Sequence, residues 1–462
     1  MLSASIVGLV YREWEDAAAI AIAATVVVLV GDATRRWAGQ AGELSTREGF
    51  AAVGLSWVAM TFVGTIPFLV TGAMSGLTDA FFETAAGFTT TGASVVSDPE
   101  LLSHSILWWR ALTQWMGGMG VIVLSIAVLP LLGVGGVQLA RAESPGPSPD
   151  RLTPRFRETA KRLWYVYVGF TGLEAVLLSF SDMTVFDAIT HSFTTMSTGG
   201  FGTKSASLAA FNPYAQWVVV TFMMIAGASF ALHFRALRAP REYARSAEFR
   251  IYLYIAAAGA AFLVIGRWGT GVVDAIREGV FNAVSIITTT GYANADFGSW
   301  NSALQIAIVG FMFVGGMAGS TAGGVKTYRL AVLTNAGRAD LRRLVHPLGI
   351  FRARIGRDPV DDHVVHSVQT FFLFYMLAFI TGTLAMGVIE SGLGAGQDLI
   401  TSVSAVASAL GNIGPGLGAV GPTETYASVP AEGKWVLSSL MIIGRLEIFP
   451  IILLFTRDLW RR

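Results

Sequence analysis

FFETAAGFTTTGAS, Phe81 to Ser94, is the stretch on which the fold turns. It joins a short amphipathic segment, about 79–90, to a Thr-Thr-Thr-Gly turn, and a long apolar run follows at 105–132. A helix that crosses a bilayer needs roughly 20 mostly apolar residues. The segment before the turn is too short, so it suits a re-entrant half-helix, which a membrane tolerates only where protein or a water-filled cavity surrounds the exposed backbone. The same order of helix, short amphipathic segment, Thr/Ser/Gly turn and helix occurs three more times. THSFTTMSTGGFG starts at Thr190, VFNAVSIITTTGYA at Val280 and VSAVASALGNIGPG at Val403. Three copies align without gaps and place Gly92, Gly291 and Gly414 in one column. The second fits with a one-residue slip, its equivalent being Gly199 or Gly200, and Gly199 is preferred because Thr198 then stands with Thr91 and Thr290.

The rest of the chain reads as the wall around these turns. Of its 462 residues 53% are hydrophobic and 14% charged, and the mean hydropathy is +0.58. Soluble domains carry nearer a quarter charged residues. Nine candidate spans emerge: 15–31, 48–72, 105–132, 161–181, 214–234, 249–267, 302–330, 364–390 and 434–456. Half-helices fall near 79–90, 186–198, 275–289 and 398–411. The segments 32–47, 133–162, 235–250, 326–357 and 457–462 hold 25 of the 32 lysines and arginines. Alternate loops are therefore basic, which places them and the C-terminus in the cytoplasm and the N-terminus outside. The opposite loops are rich in Asp and Glu, either as solvated loops or as a vestibule that concentrates cations. With no cysteine, thiol chemistry and thiolate metal sites are excluded. No paired carboxylates, nucleophile elbow or metal cluster points to an enzyme, and nothing points to nucleic acid.

A bare cation needs oxygens in place of its hydration shell, and backbone carbonyls can supply them where the chain is extended and narrow. Glycine permits that conformation and the close approach of four strands. A half-helix ending at such a turn directs its partial negative end at the ion. One such turn is equally a packing motif between helices, whereas four make a pore. The candidate ion-binding residues are Thr91, Gly92, Thr198, Gly199, Thr290, Gly291, Asn412, Ile413 and Gly414. The span 302–330 contains Gly315, Gly316, Gly319, Gly323 and Gly324, enough to break a helix, and Lys326 follows. That interruption is a candidate gate. Arg445, inside the last span, should face the bundle rather than lipid, as an electrostatic barrier or loop anchor, or in a structural pairing with Glu447 or carbonyls. GSTAGGVKT misses a phosphate-binding loop by one residue, and no strand precedes it.

REGF at Arg47–Phe50, FTTTGAS at Phe88–Ser94, HSFTTMSTGGFG at His191–Gly202, TTTGYAN at Thr288–Asn294, GGMAGSTAGGVKTYR at Gly315–Arg329, GNIGPGLG at Gly411–Gly418 and GRLEIFP at Gly444–Pro450 together resemble the Trk/Ktr/HKT superfamily of potassium transporters, within it the TrkH branch. The resemblance covers almost the whole chain. It implies an all-α membrane protein of four pseudo-symmetric helix–pore-loop–helix repeats around one ion pore, plus an N-terminal extra helix. It implies filter glycines at Gly92, Gly199, Gly291 and Gly414, with an intramembrane loop over Gly315–Gly324 that blocks conduction until it moves. It also implies a homodimer regulated by a separate cytosolic, nucleotide-binding TrkA-like ring. Two departures stand out. Relatives carry a full hydrophobic helix before 15–31, where this sequence has residues 1–11, and Asn412-Ile413-Gly414-Pro415 is the turn least like the others.

These readings divide the chain into an N-terminal helix and cytoplasmic loop at 1–47, pore repeats at 48–140 and 141–240, a third with the gating loop at 241–345, and a fourth at 346–462. The function they imply is potassium uptake across the cytoplasmic membrane with no cofactor in this chain. Alternatives are a proton- or sodium-coupled symporter, a less selective K/Na pathway, or a receptor without flux. The basic stretches Ser144–Arg155 and 338–357 are expected to bind the regulator or anionic lipid, or to be plain solvated loops.

Overall fold

A computed structural model describes residues 1–39, 46–127, 152–356, 358–393 and 398–457. Most of the basic stretch Ser144–Arg155, the proposed boundary at 140/141 and the last five residues lie outside the described residues. The chain is almost entirely helical: α1 Leu2–Val10, α2 Trp14–Ala38, α3 Thr46–Gly64, α4 Ile66–Val70, α5 Leu77–Phe88, α6 His104–Ala127, α7 Leu152–Leu178, α8 Val185–Met196, α9 Pro213–Ala226 and α10 Phe230–Ala236. There follow α11 Arg241–Arg245, α12 Ala247–Gly266, α13 Val272–Ile287, α14 Ser302–Phe311, α15 Thr327–Val345, a two-residue hairpin of β1 Arg354–Ile355 and β2 Asp358–Pro359, α16 Asp362–Leu393, α17 Leu399–Gly411, α18 Ala431–Arg445 and α19 Phe449–Leu454.

Each repeat is an outer helix (α3, α7, α12, α16), a half-helix (α5, α8, α13, α17) and a returning helix (α6, α9, α14, α18). The half-helices have 12, 12, 16 and 13 residues, about 18–24 Å at 1.5 Å per residue, short of the roughly 30 Å of hydrocarbon. Side chains set their starts: Thr184 and Asp187 form a reciprocal capping box on α8, and Asn212 and Asn301 cap the returning helices α9 and α14. The repeats close in cyclic order because each returning helix packs on the next half-helix. Thus α6 lies on α8, α9 on α13 and α18 on α5. Leu304, Ile308 and Met312, from α14 and the residue after it, share an apolar cluster with Ala407 and Ile413 of the fourth repeat.

Within the described residues each candidate span contains helix, but three are not continuous rods. The run 214–234 bends by 98° between α9 and α10. There Gly227 meets Tyr252 and Thr288, too close for a side chain, and its carbonyl accepts from Met317 N. The run 434–456 breaks where Glu447 and Ile448 hold φ of +57° and +68°, and 302–330 stops at Phe311. The stop after Phe311 is the interruption expected from the five glycines; the other two breaks escape apolar periodicity, because the freed backbone groups are satisfied by partners remote in sequence.

Residues 2–10 form a helix docked on α2 and α6. Glu13, between α1 and α2, accepts from the backbone N–H groups of His104 (2.7 Å) and Ser105 (3.0 Å) at the start of α6, and from the Ser105 hydroxyl. It thus caps a helix remote in sequence, while Tyr11 stacks on His104. Burial works to raise the Glu13 carboxyl, but these hydrogen bonds outweigh it and hold the group below the usual carboxylate value. A depressed carboxyl adds stability above its unfolded-state pKa, and that stability is lost as pH falls through the folded-state value. A spin label at Ile6 should therefore become more mobile on acidification below the ordinary carboxylate range. Glu13→Gln should remove most of the pH dependence, and a wild-type label indifferent to acid would contradict this account of the docking.

Candidate functional site

The four half-helices end in one repeated hydrogen-bond pattern. Thr91, Gly199, Thr290 and Ile413 donate their N–H groups five residues back, to Ala86, Thr194, Ser285 and Ser408, at 2.8, 2.8, 2.8 and 3.0 Å. The preceding residues donate three back, which completes the Schellman closure of a helix end. That closure needs one left-handed residue. Here it is Thr90, Thr198, Thr289 and Asn412, with φ between +52° and +57°. A β-branched residue in that region is strained by about 1 kcal/mol or more.

The register corrects one sequence assignment. Counting from the left-handed residue, the third column is Gly92, Gly200, Gly291 and Gly414, all with positive φ from +78° to +116°. Gly199 stands one place earlier, with Thr91, Thr290 and Ile413, and Thr198 belongs with Thr90 and Thr289. Two adjacent glycines left the slip undecided by letters alone. The backbone decides it: Thr198 is the left-handed residue and Gly200, not Gly199, the glycine with positive φ.

These columns interlock around one axis. A side chain at Gly92 would overlap the carbonyl oxygen of Gly199. One at Gly200 would overlap that of Thr290, one at Gly291 that of Ile413, and one at Gly414 would meet that of Thr91 at 2.8 Å. Each glycine thus receives the preceding-column carbonyl of the next repeat, and the fourth returns to the first. Sequence reasoning missed the groups that brace this ring. Gln114 donates to the Gly199 carbonyl (2.7 Å) and accepts from Phe201 N (3.1 Å). The Gly414 carbonyl accepts from both Ser408 and Tyr426 hydroxyls, each at 2.8 Å, so both its lone pairs are occupied. Thr90 Oγ1 and Asn412 Oδ1, in the left-handed column, are buried with no partner among the described residues.

Above the glycines lies a cavity of about 140 Å³ that reaches Arg110, Lys204 and Glu424. Five of the thirteen acids read from sequence on that side are matched by cations among the described residues. Glu83 pairs with Arg110 at 2.8 Å, both fully buried, while Asp79 pairs with Lys434, Glu100 with Lys204, Asp274 with Arg277 and Glu278 with Arg267. Of the acids on that side Asp98, Asp182, Asp187, Asp296, Glu390, Asp398, Glu424 and Glu432 have no basic partner among the described residues. Arg110 is thus a bridge from α6 to the half-helix α5, and it also reaches Ser94 and the Gly202 carbonyl.

On the other side of the ring, residues 312–326 leave the helical path as expected. Gly315, Gly319 and Gly324 have φ of +79°, +76° and +71°. Gly316 and Gly323 instead permit contact with the Gly227 and Gly411 carbonyls. The loop touches the half-helix ends of three repeats: Gly323 N donates to Thr289 Oγ1 (2.7 Å), the Thr321 hydroxyl donates to Met196 O (3.1 Å), and Gly323 abuts Asn412. Arg445 ties it to the remaining repeat. Its guanidinium donates to the carbonyls of Thr321 (2.6 Å) and Gly117 (3.3 Å), and Gly117 itself packs on the Phe88 carbonyl at the end of α5. Glu447 pairs not with Arg445 but with Lys326 (2.7 Å) and Arg329 (2.5 Å). Lys326 is 3% exposed and committed to that pair, which leaves no lysine for a phosphate at the look-alike motif.

With this geometry established, the relatives are informative. The family described as TrkH, cation transport protein, matches residues 17–256 and 260–461. The chain is 40% identical over 475 residues to the Trk system potassium uptake protein TrkH of Vibrio parahaemolyticus, covering all of this chain and 96% of that protein. It is 38% identical to the protein of that name from Escherichia coli K12, with the same coverage. The crystal structure of the potassium transporter TrkH from Vibrio parahaemolyticus superposes with a TM-score of 0.90 at 36% identity, covering all of this chain and 96% of that one. Four interlocked turns, a loop beneath them and these likenesses place the chain in the TrkH family of cation transport proteins.

Proposed function

We propose that this chain carries potassium into the cell through a channel-like pore along the axis of the four turns. The observation that carries the reading is the closed cycle of glycine–carbonyl contacts, which brings backbone oxygens from four loops to one point where no side chain fits. Potassium enters the cavity at the acidic end, exchanges water for oxygens of the Thr91–Gly92, Gly199–Gly200, Thr290–Gly291 and Ile413–Gly414 turns, and meets the 315–324 loop beneath. The orphaned oxygens of Thr90 and Asn412 support an ion or its water on that side, since buried acceptors without donors are costly. The loop closes the exit, Arg445 anchors it, and the membrane potential supplies about 2.3 kcal/mol per charge per 100 mV, so inward flux needs no nucleotide chemistry in this chain. The positive-inside distribution supports an inner-membrane, multi-pass placement with a cytoplasmic C-terminus. The resemblance supports a homodimer and a cytosolic nucleotide-binding ring partner. The exposed Leu341, Leu344, Val345 and Leu348 at the basic end offer apolar surface for the second copy.

A second reading, proton-coupled symport, has one observation in its favour. Glu174 of α7 is 0% exposed, and neither carboxylate oxygen has a hydrogen-bond partner among the described residues. Reversal potentials that move with pH, and stop moving in Glu174→Gln, would select it. Potentials that follow potassium alone would select the uniporter.

Rubidium flux into liposomes with competing cations tests the main reading. Gly92→Ala, Gly200→Ala, Gly291→Ala and Gly414→Ala should each reduce flux to background. Gly202→Ala, where the nearest neighbour of an added side chain is 3.5 Å away, should retain it. Full flux in Gly200→Ala would remove the ring as the ion's path. With the Gly414 carbonyl already saturated by two hydroxyls, discrimination against sodium should fall below that of filters with several consecutive carbonyl rings, as a permeability ratio would reveal. Arg445→Ala deletes two charge-assisted hydrogen bonds of about 1.5–3 kcal/mol each. Open probability without any partner should therefore rise, and unchanged single-pore currents would contradict the anchor.

A further inference from the structure

The helix that leaves the loop carries a feature the transport reading does not use. Along α15, Asn335, Arg338 and Arg342 recur at three- and four-residue spacing and share one face. The chain then doubles back, and residues 350–354 run across that face. Arg343 holds the crossing in place by donating to the Phe351 carbonyl (2.6 Å) while pairing with Asp340 (2.9 Å). Ala353 is buried with Val332, Ala336 and Val368 beneath it. Arg352 and Arg354, two apart in an extended stretch, fall on the same side. Between helix and crossing segment is a cavity of about 380 Å³, lined by Arg338, Arg342, Arg352 and Arg354 with Asn335 and Phe351, and by no carboxylate.

Among the described residues none of these four arginines has an ion pair or a hydrogen bond, whereas Arg110, Arg245, Arg267, Arg277, Arg329 and Arg343 each hold a carboxylate. Four like charges converging on one cleft repel one another unless an anion is shared among them. Planar guanidinium forks match phosphate oxygens in pairs. The volume exceeds what a single inorganic phosphate fills and lies within the range of small-ligand sites. We propose that this pocket binds a phosphate-bearing group of at least two negative charges, from a soluble polyphosphate or the headgroup of an anionic lipid. The assignment concerns binding alone and stands whether or not the four turns conduct.

The test uses the full chain. Inorganic pyrophosphate is titrated into detergent-purified protein by calorimetry, and retained lipid is counted by native mass spectrometry after reconstitution with phosphatidic acid or phosphatidylcholine. The wild type should bind pyrophosphate, retain phosphatidic acid over phosphatidylcholine, or both; the arm that responds identifies the source. R338Q/R342Q on the helix and R352Q/R354Q on the crossing segment should each weaken that binding roughly tenfold or more. The two pairs lie on different elements, so a folding failure of one leaves the other to test. R250Q, a cation outside the pocket, should bind as wild type does. Binding in neither arm, or binding equal in wild type and both double variants, overturns the proposal and points to an acidic protein segment or bare solvent over this face.

Discussion

The fold depends on four places where a backbone carbonyl occupies the volume of a missing side chain. At Gly92, Gly200, Gly291 and Gly414 the neighbouring repeat comes closer than a Cβ permits, so the ring closes only if all four are glycine. Much else follows from holding these points together. The half-helices stop where they do because a left-handed residue must precede each turn. The returning helices each lean on the next repeat, so contact around the ring is cyclic rather than pairwise. Strain in three left-handed threonines, roughly 1 kcal/mol or more apiece, persists because the interlocked turns over-determine their conformation.

The loop under the ring is held by a different economy of charge. Glu447 sits at a helix break with positive φ and receives both Lys326 and Arg329, the cations that end the loop and begin α15. One carboxylate thus joins the third repeat's returning chain to the fourth's. Removing one partner of a buried pair is costly because the other charge is left without compensation. Arg445, two residues earlier, has no carboxylate partner among the described residues and rests on two carbonyls, bonds that can be released without stranding an opposite charge. The two arrangements divide the work: the Glu447 cluster fixes where the loop re-enters the helix, and Arg445 holds its middle.

Much of this was legible in the letters. Composition identified an all-helical, multi-pass membrane protein, and the recurrence of Thr/Ser/Gly turns after segments too short to span located the four half-helix ends that the structure brings together. What failed was whatever depended on two distant segments meeting. The second turn's register was ambiguous because Gly199 and Gly200 are adjacent, and only the backbone, with Gly200 and not Gly199 at positive φ, separates them. The paired part of the acidic side was invisible because sequence cannot pair Glu83 with Arg110, or Asp79 with Lys434 across 355 positions. The bends at Gly227 and Glu447 were hidden in apolar runs whose periodicity is indifferent to direction. Gln114 and Tyr426 carry no motif at all.

The fourth turn differs in a way that bears on how strictly such a ring can choose its ion. Where two repeats pair threonine hydroxyls within the turn, Thr89 with Thr91 and Thr288 with Thr290, the fourth sends Asn412 across to Thr91 Oγ1 and to the Met441 carbonyl. Its glycine carbonyl is turned to Ser408 and Tyr426. Asn412 suits its place, since a short amide tolerates the left-handed conformation better than threonine. The consequence is a ring of unequal oxygens, with the fourth repeat's Gly414 carbonyl drawn to two hydroxyls and the second repeat's Gly199 carbonyl taken by Gln114. Selectivity that relies on the number and field strength of coordinating carbonyls declines when turn carbonyls are already satisfied by the protein. Under the proposed transport reading, such a ring would favour a large, easily dehydrated cation by fit at a single layer, and the decision to conduct would rest with the loop beneath it.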